Sequence, residues 1–228
     1  MNQEIPQLQN LPKIRYFQRK LKAWATQNLR DFPWRRTTNP YSIFVAEFLL
    51  QKTDAATVAP IYEAFLACYP TLETVAAAPI GDVETLLQPL GLFFRAERLC
   101  QAAREILEKD GGKIPNTQKR LLELPGIGKY TARSILAHGF LRPAAVLDTN
   151  VARILERFFG IQGDRVKSRC KVLWSAADIV APKRNVGRWN LTLLDFGALV
   201  CTARNLCCSD CPLRSQCCFP ATIRRSRA

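Results

Sequence analysis

Six of the nine cysteines fall in the eighteen residues from Cys201 to Cys218. Four of them, Cys201, Cys208, Cys211 and Cys217, are separated by six, two and five residues, a spacing that can wrap four thiolates around one small inorganic centre; Cys207 and Cys218 read as bystanders. Three chemistries compete for such a run. Disulfides belong to oxidising compartments, and nothing at the N-terminus resembles a secretory signal, so a reducing, cytoplasmic setting is expected. Zinc sites commonly pair two short hooks, and only Cys208 and Cys211 form one. A four-cysteine iron-sulfur cluster is the better fit to the spacing.

Two carboxylates stand out for different reasons. Glu47 lies in Ile43-Phe44-Val45-Ala46-Glu47-Phe48-Leu49-Leu50, a helical stretch apolar on every other face. Burial there would raise its pKa, because desolvation disfavours the charged form; the alternative is a glutamate at the helix rim with water access. Asp148 precedes the amphipathic stretch 151–159, which closes at Gly160. It is placed as an N-cap, and a carboxylate so placed could also stabilise a cation. Leu124-Pro125-Gly126-Ile127-Gly128-Lys129-Tyr130-Thr131 reads as the turn of a helix-hairpin-helix at about 120–138. Gly126 and Gly128 would permit left-handed angles and close approach, and the second helix would turn its free N–H groups toward an anion such as a DNA phosphate. A purely structural helical hairpin is the competing view. The aromatic and basic loop around Phe32-Pro33-Trp34-Arg35 could stack or grip phosphate, or serve as a packed connector. His138, the only histidine, is expected to pack or cap.

These groups need a scaffold, and the pattern that supplies it is helical throughout. Apolar residues recur at three- and four-residue steps over 13–28, with Ile14, Phe17, Leu21 and Trp24, and again from Ser42, the expected cap, to about 58. Further helices are expected over 55–69, 72–77, 83–87, 94–109, up to about 122, 129–138, 151–159, 165–182 and 190–201, the last with Leu191, Leu194, Phe196 and Leu199 inward and Cys201 as its final residue. Residues 1–12 read as an extended arm, and Cys68, Cys100 and Cys170 as core thiols. No strand pattern, repeat or low-complexity linker interrupts the series, so the class is all-α. Lys and Arg number 33 against 19 Asp and Glu, a formal charge of +14. A folded chain with that balance and no apolar run long enough to span a bilayer suits a nucleic acid better than a membrane.

The hairpin, an aspartate at a helix start twenty residues later, and the Cys201/Cys208/Cys211/Cys217 spacing together resemble the helix-hairpin-helix DNA glycosylase superfamily, and within it the endonuclease III and MutY group that carries a 4Fe-4S cluster. The resemblance runs from about Phe32 to Cys217. It implies two helical domains flanking a DNA-binding groove: a six-helix barrel module at 32–142, ending in the hairpin, and a cluster domain built from 1–31 and 143–228. It implies a monomer acting on double-stranded DNA with a mismatched or damaged base, nucleoid-associated and without membrane. By the same resemblance Gln51 sits where the family inserts a glutamine into the base stack, Glu47 matches the pocket acid of the MutY branch, and Asp148 matches the catalytic aspartate. Lys52, Arg35, Gly126, Gly128, Lys129, Thr131, Arg204 and Arg214 are the expected DNA contacts.

Bifunctional members carry a lysine where this chain has Tyr130, and Lys129 cannot stand in for it, because one residue turns a helix by about 100 degrees. A monofunctional glycosylase that leaves an abasic site is therefore expected. Tyr130 and Glu47 occur both in MutY-type adenine glycosylases and in thymine/uracil mismatch glycosylases. Lys52, the sequence Trp189-Asn190-Leu191, and the eleven residues remaining after Cys217 lean toward thymine or uracil opposite guanine; Gly91-Leu92-Phe93-Phe94-Arg95-Ala96 leans toward the MutY-like adenine glycosylases that act on A·G or A·8-oxoG. The reading from another class is a non-catalytic iron-sulfur DNA-binding protein. A redox-sensing regulator would rest on the cluster alone.

Overall fold

Where apolar side chains recur every three or four residues the chain is helical, and no strand occurs among the described residues, 5–91 and 94–219 of the computed structural model. The α-helices are α1 (Leu11–Asn28), α2 (Pro40–Leu49), α3 (Ala55–Cys68), α4 (Leu72–Ala77), α5 (Ile80–Leu87), α6 (Phe94–Asp110), α7 (Gln118–Glu123), α8 (Lys129–Gly139), α9 (Thr149–Phe159), α10 (Lys171–Val180) and α11 (Val186–Leu199). No helix among the described residues is long and apolar enough to cross a membrane. The chain divides into two compact units, Asp31–Arg142 on one side and Met1–Arg30 with Pro143–Ala228 on the other.

In the unit 31–142, α2 is the central element and packs on α3, α6 and α8, while α4 and α5 lie on α6 and α7 on α8. Ile43 to Leu49 are all buried, as an all-round apolar helix requires. The cap is not Ser42. Asn39 takes that role, its side chain accepting from the N–H groups of Tyr41 (2.9 Å) and Ser42 (3.1 Å), which contributes about 1 kcal/mol. Nor does the helix run on to 58. The polar stretch after Leu50 breaks it, with Lys52 at φ 57°, and Asp54 starts α3 by accepting from Ala56 N at 2.7 Å. Cys68 ends α3 exposed and is no core thiol; Cys100 is fully buried on α6. Arg120 of α7 reaches Asp110 (2.8 Å) and Glu105 (3.0 Å), tying the first helix of the hairpin to α6.

The other unit packs α1 on α11, α11 on α9 and α9 on α10. Phe17 of α1 is its keystone, with ring centroids 4.8 Å from Phe158, 5.1 Å from Phe159 and 5.7 Å from Trp189. Asp195, fully buried on α11, accepts from Arg30 Nε (2.7 Å) and Arg30 N (2.9 Å), and Tyr16 Oη donates to Pro212 O at 3.0 Å. The expected arm forms a 3-10 turn at Pro6–Leu8 with Ile5 and Leu8 buried, and α1 begins at Leu11 under an Asn10 cap. The helix expected over 165–182 is shorter, starting after the buried Cys170.

The helix before the cysteines starts at Val186, four residues ahead of expectation, and stops at Leu199, so Cys201 lies beyond its end. Its core face carries Trp189, Asn190, Leu193, Asp195 and Phe196, whereas Leu199 is 48 % exposed. Two polar residues on that face hid its true phase. Residues 1–4, Leu92 and Phe93 of the aromatic turn, and the basic tail 220–228 lie outside the described residues.

Candidate active site

Glu47 is 8 % exposed, and its Oε1 accepts from Ser134 Oγ at 2.7 Å. Burial pushes its carboxyl up to about 7, against the opposing pull of the Ser134 hydroxyl. The pair joins α2 to α8. Tyr130 lies one turn before Ser134 on α8, so it shares that face, while Lys129 is turned away and exposed. A carboxyl that keeps its proton near neutral pH can deliver it to a leaving group.

The hairpin glycines differ. Gly126 has φ +79°, and a Cβ there would come within 2.9 Å of the Phe48 ring and 3.2 Å of Arg98. Gly128 is extended (φ −97°), not left-handed as expected, and a Cβ there would meet nothing. It serves as the N-cap of α8 without a side-chain bond, which leaves open space over the first turn of the helix. The carbonyl of Gly126 accepts from Gln51 Nε2 at 3.0 Å, which brings the 50–54 turn onto the hairpin, and Lys52 beside it is exposed. Thr131 is only 6 % exposed, so its side chain offers no surface to DNA. Arg35 stacks on Phe32, 5.2 Å from the ring centroid. Burial, helped by the charge of Arg35, lowers His138 to about 4 and keeps it neutral, in accord with a packing role.

In the other unit Asp148 caps α9. Its Oδ1 accepts from Val151 N (2.7 Å) and its Oδ2 from Asn150 Nδ2 (2.8 Å). Arg153 donates to Asn150 Oδ1 (2.6 Å), to Gly197 O (2.8 Å) and, through Nε, to Cys201 O (2.7 Å). A continuous hydrogen-bonded chain thus runs from the backbone of the first cysteine to the carboxylate. Gly197 permits it, since a Cβ there would lie 2.5 Å from Asn150 Cβ. Asn190 donates to Ala144 O (2.9 Å) and accepts from Val146 N (3.2 Å), holding the segment that leads to Asp148. Burial raises the Asp148 pKa, and the Val151 and Asn150 donors and the Arg153 charge oppose it; the capping bonds alone do not fix its charge.

Among the described residues no three His, Cys, Asp or Glu side chains are grouped closely enough to grip a single metal ion. The thiols still share one neighbourhood. Burial raises the Cys211 pKa and takes Cys217 to about 11, and each is pushed further by other cysteines: Cys211 by Cys201 and Cys208, and Cys217 by Cys211, Cys201 and Cys218. Four cysteine thiols, Cys201, Cys208, Cys211 and Cys217, are the residues that would hold a metal centre there, and thiolates suit an iron-sulfur cluster or zinc. Arg157 Nη1 lies 3.6 Å from Cys201 Sγ, and Arg204 and Arg214 are exposed.

Residues 45–176 match the family model described as HhH-GPD superfamily base excision DNA repair protein. The chain belongs to this superfamily. Among its HhH-GPD relatives, a thymine-DNA glycosylase of Aeropyrum pernix is 37 % identical over 91 % of this chain and 95 % of its own length. A thymine/uracil-DNA glycosylase of Methanothermobacter thermautotrophicus is 35 % identical over 87 % of this chain and 90 % of its own. An adenine DNA glycosylase of Homo sapiens is 34 % identical over 91 % of this chain but only 40 % of its own length. The solved structure of a thermostable thymine-DNA glycosylase superposes with a TM-score of 0.88 at 32 % identity, covering 92 % of this chain and 98 % of that one. The residues that bond around Glu47, Asp148 and the 50–53 turn and that the sequence did not single out are Ser134, Asn150, Arg153 and Arg95. Only Ser134, at four residues from Tyr130 on one helix, had a signal in the sequence.

Proposed function

We propose that this protein is a monofunctional DNA glycosylase that removes thymine or uracil opposite guanine from double-stranded DNA and leaves an abasic site. The observation that carries the reading is the Glu47–Ser134 pair on the face of α8 that holds Tyr130, where an attacking amine would otherwise stand. Similarity to a thymine-DNA glycosylase at 37 % identity and to a thymine/uracil-DNA glycosylase at 35 %, over 91 % and 87 % of this chain, supports the choice of base.

In this reading the target nucleotide is drawn out of the duplex, which costs a few kcal/mol and favours mispaired bases, and Gln51 fills the vacancy. Glu47 holds a proton near neutral pH and delivers it to the departing base as the glycosidic electron pair leaves with it. Asp148, held by Val151 and Asn150, keeps acceptor capacity on both oxygens. It stabilises the cationic sugar, orients the water whose oxygen adds to C1′ and takes the proton that this water gives up. Gly128, Lys129, Lys52, Arg35, Arg204 and Arg214 supply phosphate contacts, and Cys201, Cys208, Cys211 and Cys217 hold a 4Fe-4S cluster, which ties the C-terminal segment into a compact basic loop.

A panel of duplexes with G·T, G·U, A·G and A·8-oxoG tests the reading. Release of thymine and uracil, with at most weak borohydride trapping by the wild type and some trapping by Tyr130→Lys, is expected. Asp148→Asn should lower base release by at least a thousandfold while DNA affinity stays within a few fold. Exclusive adenine release, or efficient trapping by the wild type, would overturn it. Equal inertness of wild type and Asp148→Asn would favour a non-catalytic DNA-binding protein.

A further inference from the structure

Arg95 stands in the first turn of α6 on the stripe that carries Leu99, Ala102 and Ile106, and it is 1 % exposed. A guanidinium at that depth demands acceptors, and no carboxylate among the described residues pairs with it. Its partners are three oxygens of one turn: Leu49 O at 2.5 Å, Gln51 O at 2.8 Å and Thr53 Oγ1 at 2.9 Å. Leu49 is the last residue of α2, so its carbonyl has no helical donor and lies at the negative end of the helix. The other two oxygens belong to the turn beyond. Between them Lys52 adopts φ 57°, a conformation that a non-glycine residue keeps only when its surroundings hold it there. Thr53 Oγ1 also lies 3.3 Å from Leu90 O, a second anchor for the same turn.

Stability alone accounts poorly for this arginine. Burying a guanidinium without a counter-ion carries a desolvation cost that neutral oxygens offset only in part, and Arg95 Nε has no hydrogen-bond partner. What the guanidinium does achieve is geometric, because its planar fork fixes three oxygens in one arrangement. The side chain of Gln51 is held differently, by the single bond to Gly126 O, and is half-exposed. Its backbone is locked and its amide is not.

We propose that Arg95 is a positioning residue: it sets the backbone of the 50–53 turn so that Gln51 enters the base stack at a fixed height, while the amide of Gln51 exchanges Gly126 O for a base. The inference rests on the reading of Gln51 as the residue that fills the vacated space.

The test uses the full-length, cluster-loaded protein in the Asp148→Asn background, with 2-aminopurine placed beside the target of a G·T duplex to report unstacking. Arg95→Met should reduce the rate of the fluorescence rise at least tenfold while its melting temperature stays equal to the parent's or rises. Arg95→Lys, which keeps the charge without the fork, should fall between. A melting temperature that drops along with the signal would make Arg95 merely structural and overturn the inference, as would an unchanged rise. Should Arg95→Met not fold, Thr53→Val, which removes one acceptor and unburies no charge, must show a smaller loss, and an unchanged rise there overturns the proposal. Gln51→Ala separates the two readings. If it leaves the rise intact, the wedge assignment fails and the inference with it; if it abolishes the rise while Arg95→Met does not, the Arg95 inference alone fails.

Discussion

Burial and the hydrogen bond that the Ser134 hydroxyl donates act on the Glu47 carboxyl in opposite directions, and the balance sets a pH dependence with a definite sign. Burial places the folded-state pKa near 7 against an ordinary 4.5, so the folded protein retains a proton that the unfolded chain releases. The resulting stabilisation is fully present below about pH 4.5 and is lost as pH rises through about 7; it amounts to roughly 3 kcal/mol, and Glu47→Gln should flatten that slope in denaturant melts. Ser134 lowers this pKa, so Ser134→Ala should move it up. Single-turnover base release in that variant should keep its acid-requiring limb to higher pH than the wild type, and a shift to lower pH would contradict the account. Glu47 could be read from sequence because every neighbour on its helix was apolar. Ser134 offered only its four-residue spacing from Tyr130, its partner lying 87 residues away, and Arg95 offered nothing, since its partner at Leu49 lies 46 residues away and a lone arginine carries no pattern.

At the scale of elements, the hairpin and the turn after α2 are where local geometry departs from helix. Gly126 is required by both its φ and its contact with Phe48, whereas Gly128 is required by neither. Gly126→Ala should cost roughly 2 kcal/mol or more through strain and overpacking. Gly128→Ala should leave thermal stability almost unchanged yet weaken duplex binding several-fold, because the added methyl would occupy the space over the first turn of α8. Equal melting losses in both would contradict this division. Helix existence was legible throughout, because periodicity is local. Boundaries were less so. The break after Leu50 depends on Asp54 capping α3 and on oxygens gathered by Arg95, and the phase of α11 depends on Asn190 and Asp195 lying inward, where pattern reading expects leucines.

At the scale of the whole molecule, one unit is a single stretch of chain and the other is assembled from both ends. The formal charge of +14 should make duplex affinity fall steeply with added salt. The division also predicts how fragments behave. Residues 31–142 carry their own core and should give a helical spectrum and a cooperative melt alone. Residues 143–228 lack Phe17, which fills the space among Phe158, Phe159 and Trp189, and lack Arg30, which satisfies the buried Asp195; they should fold only when a peptide of residues 1–30 is added. An independent cooperative melt of 143–228 would count against this. The same wiring orders events during synthesis, where domains form as they emerge. The stretch bearing Glu47, Gln51 and Tyr130 can finish before Asp148 has left the ribosome, whereas α1 must wait for α9 and α11 to emerge. The nascent protein thus completes its hairpin before the Asp148 cap of α9 can be set against its neighbours, and the unit built from both chain ends closes last.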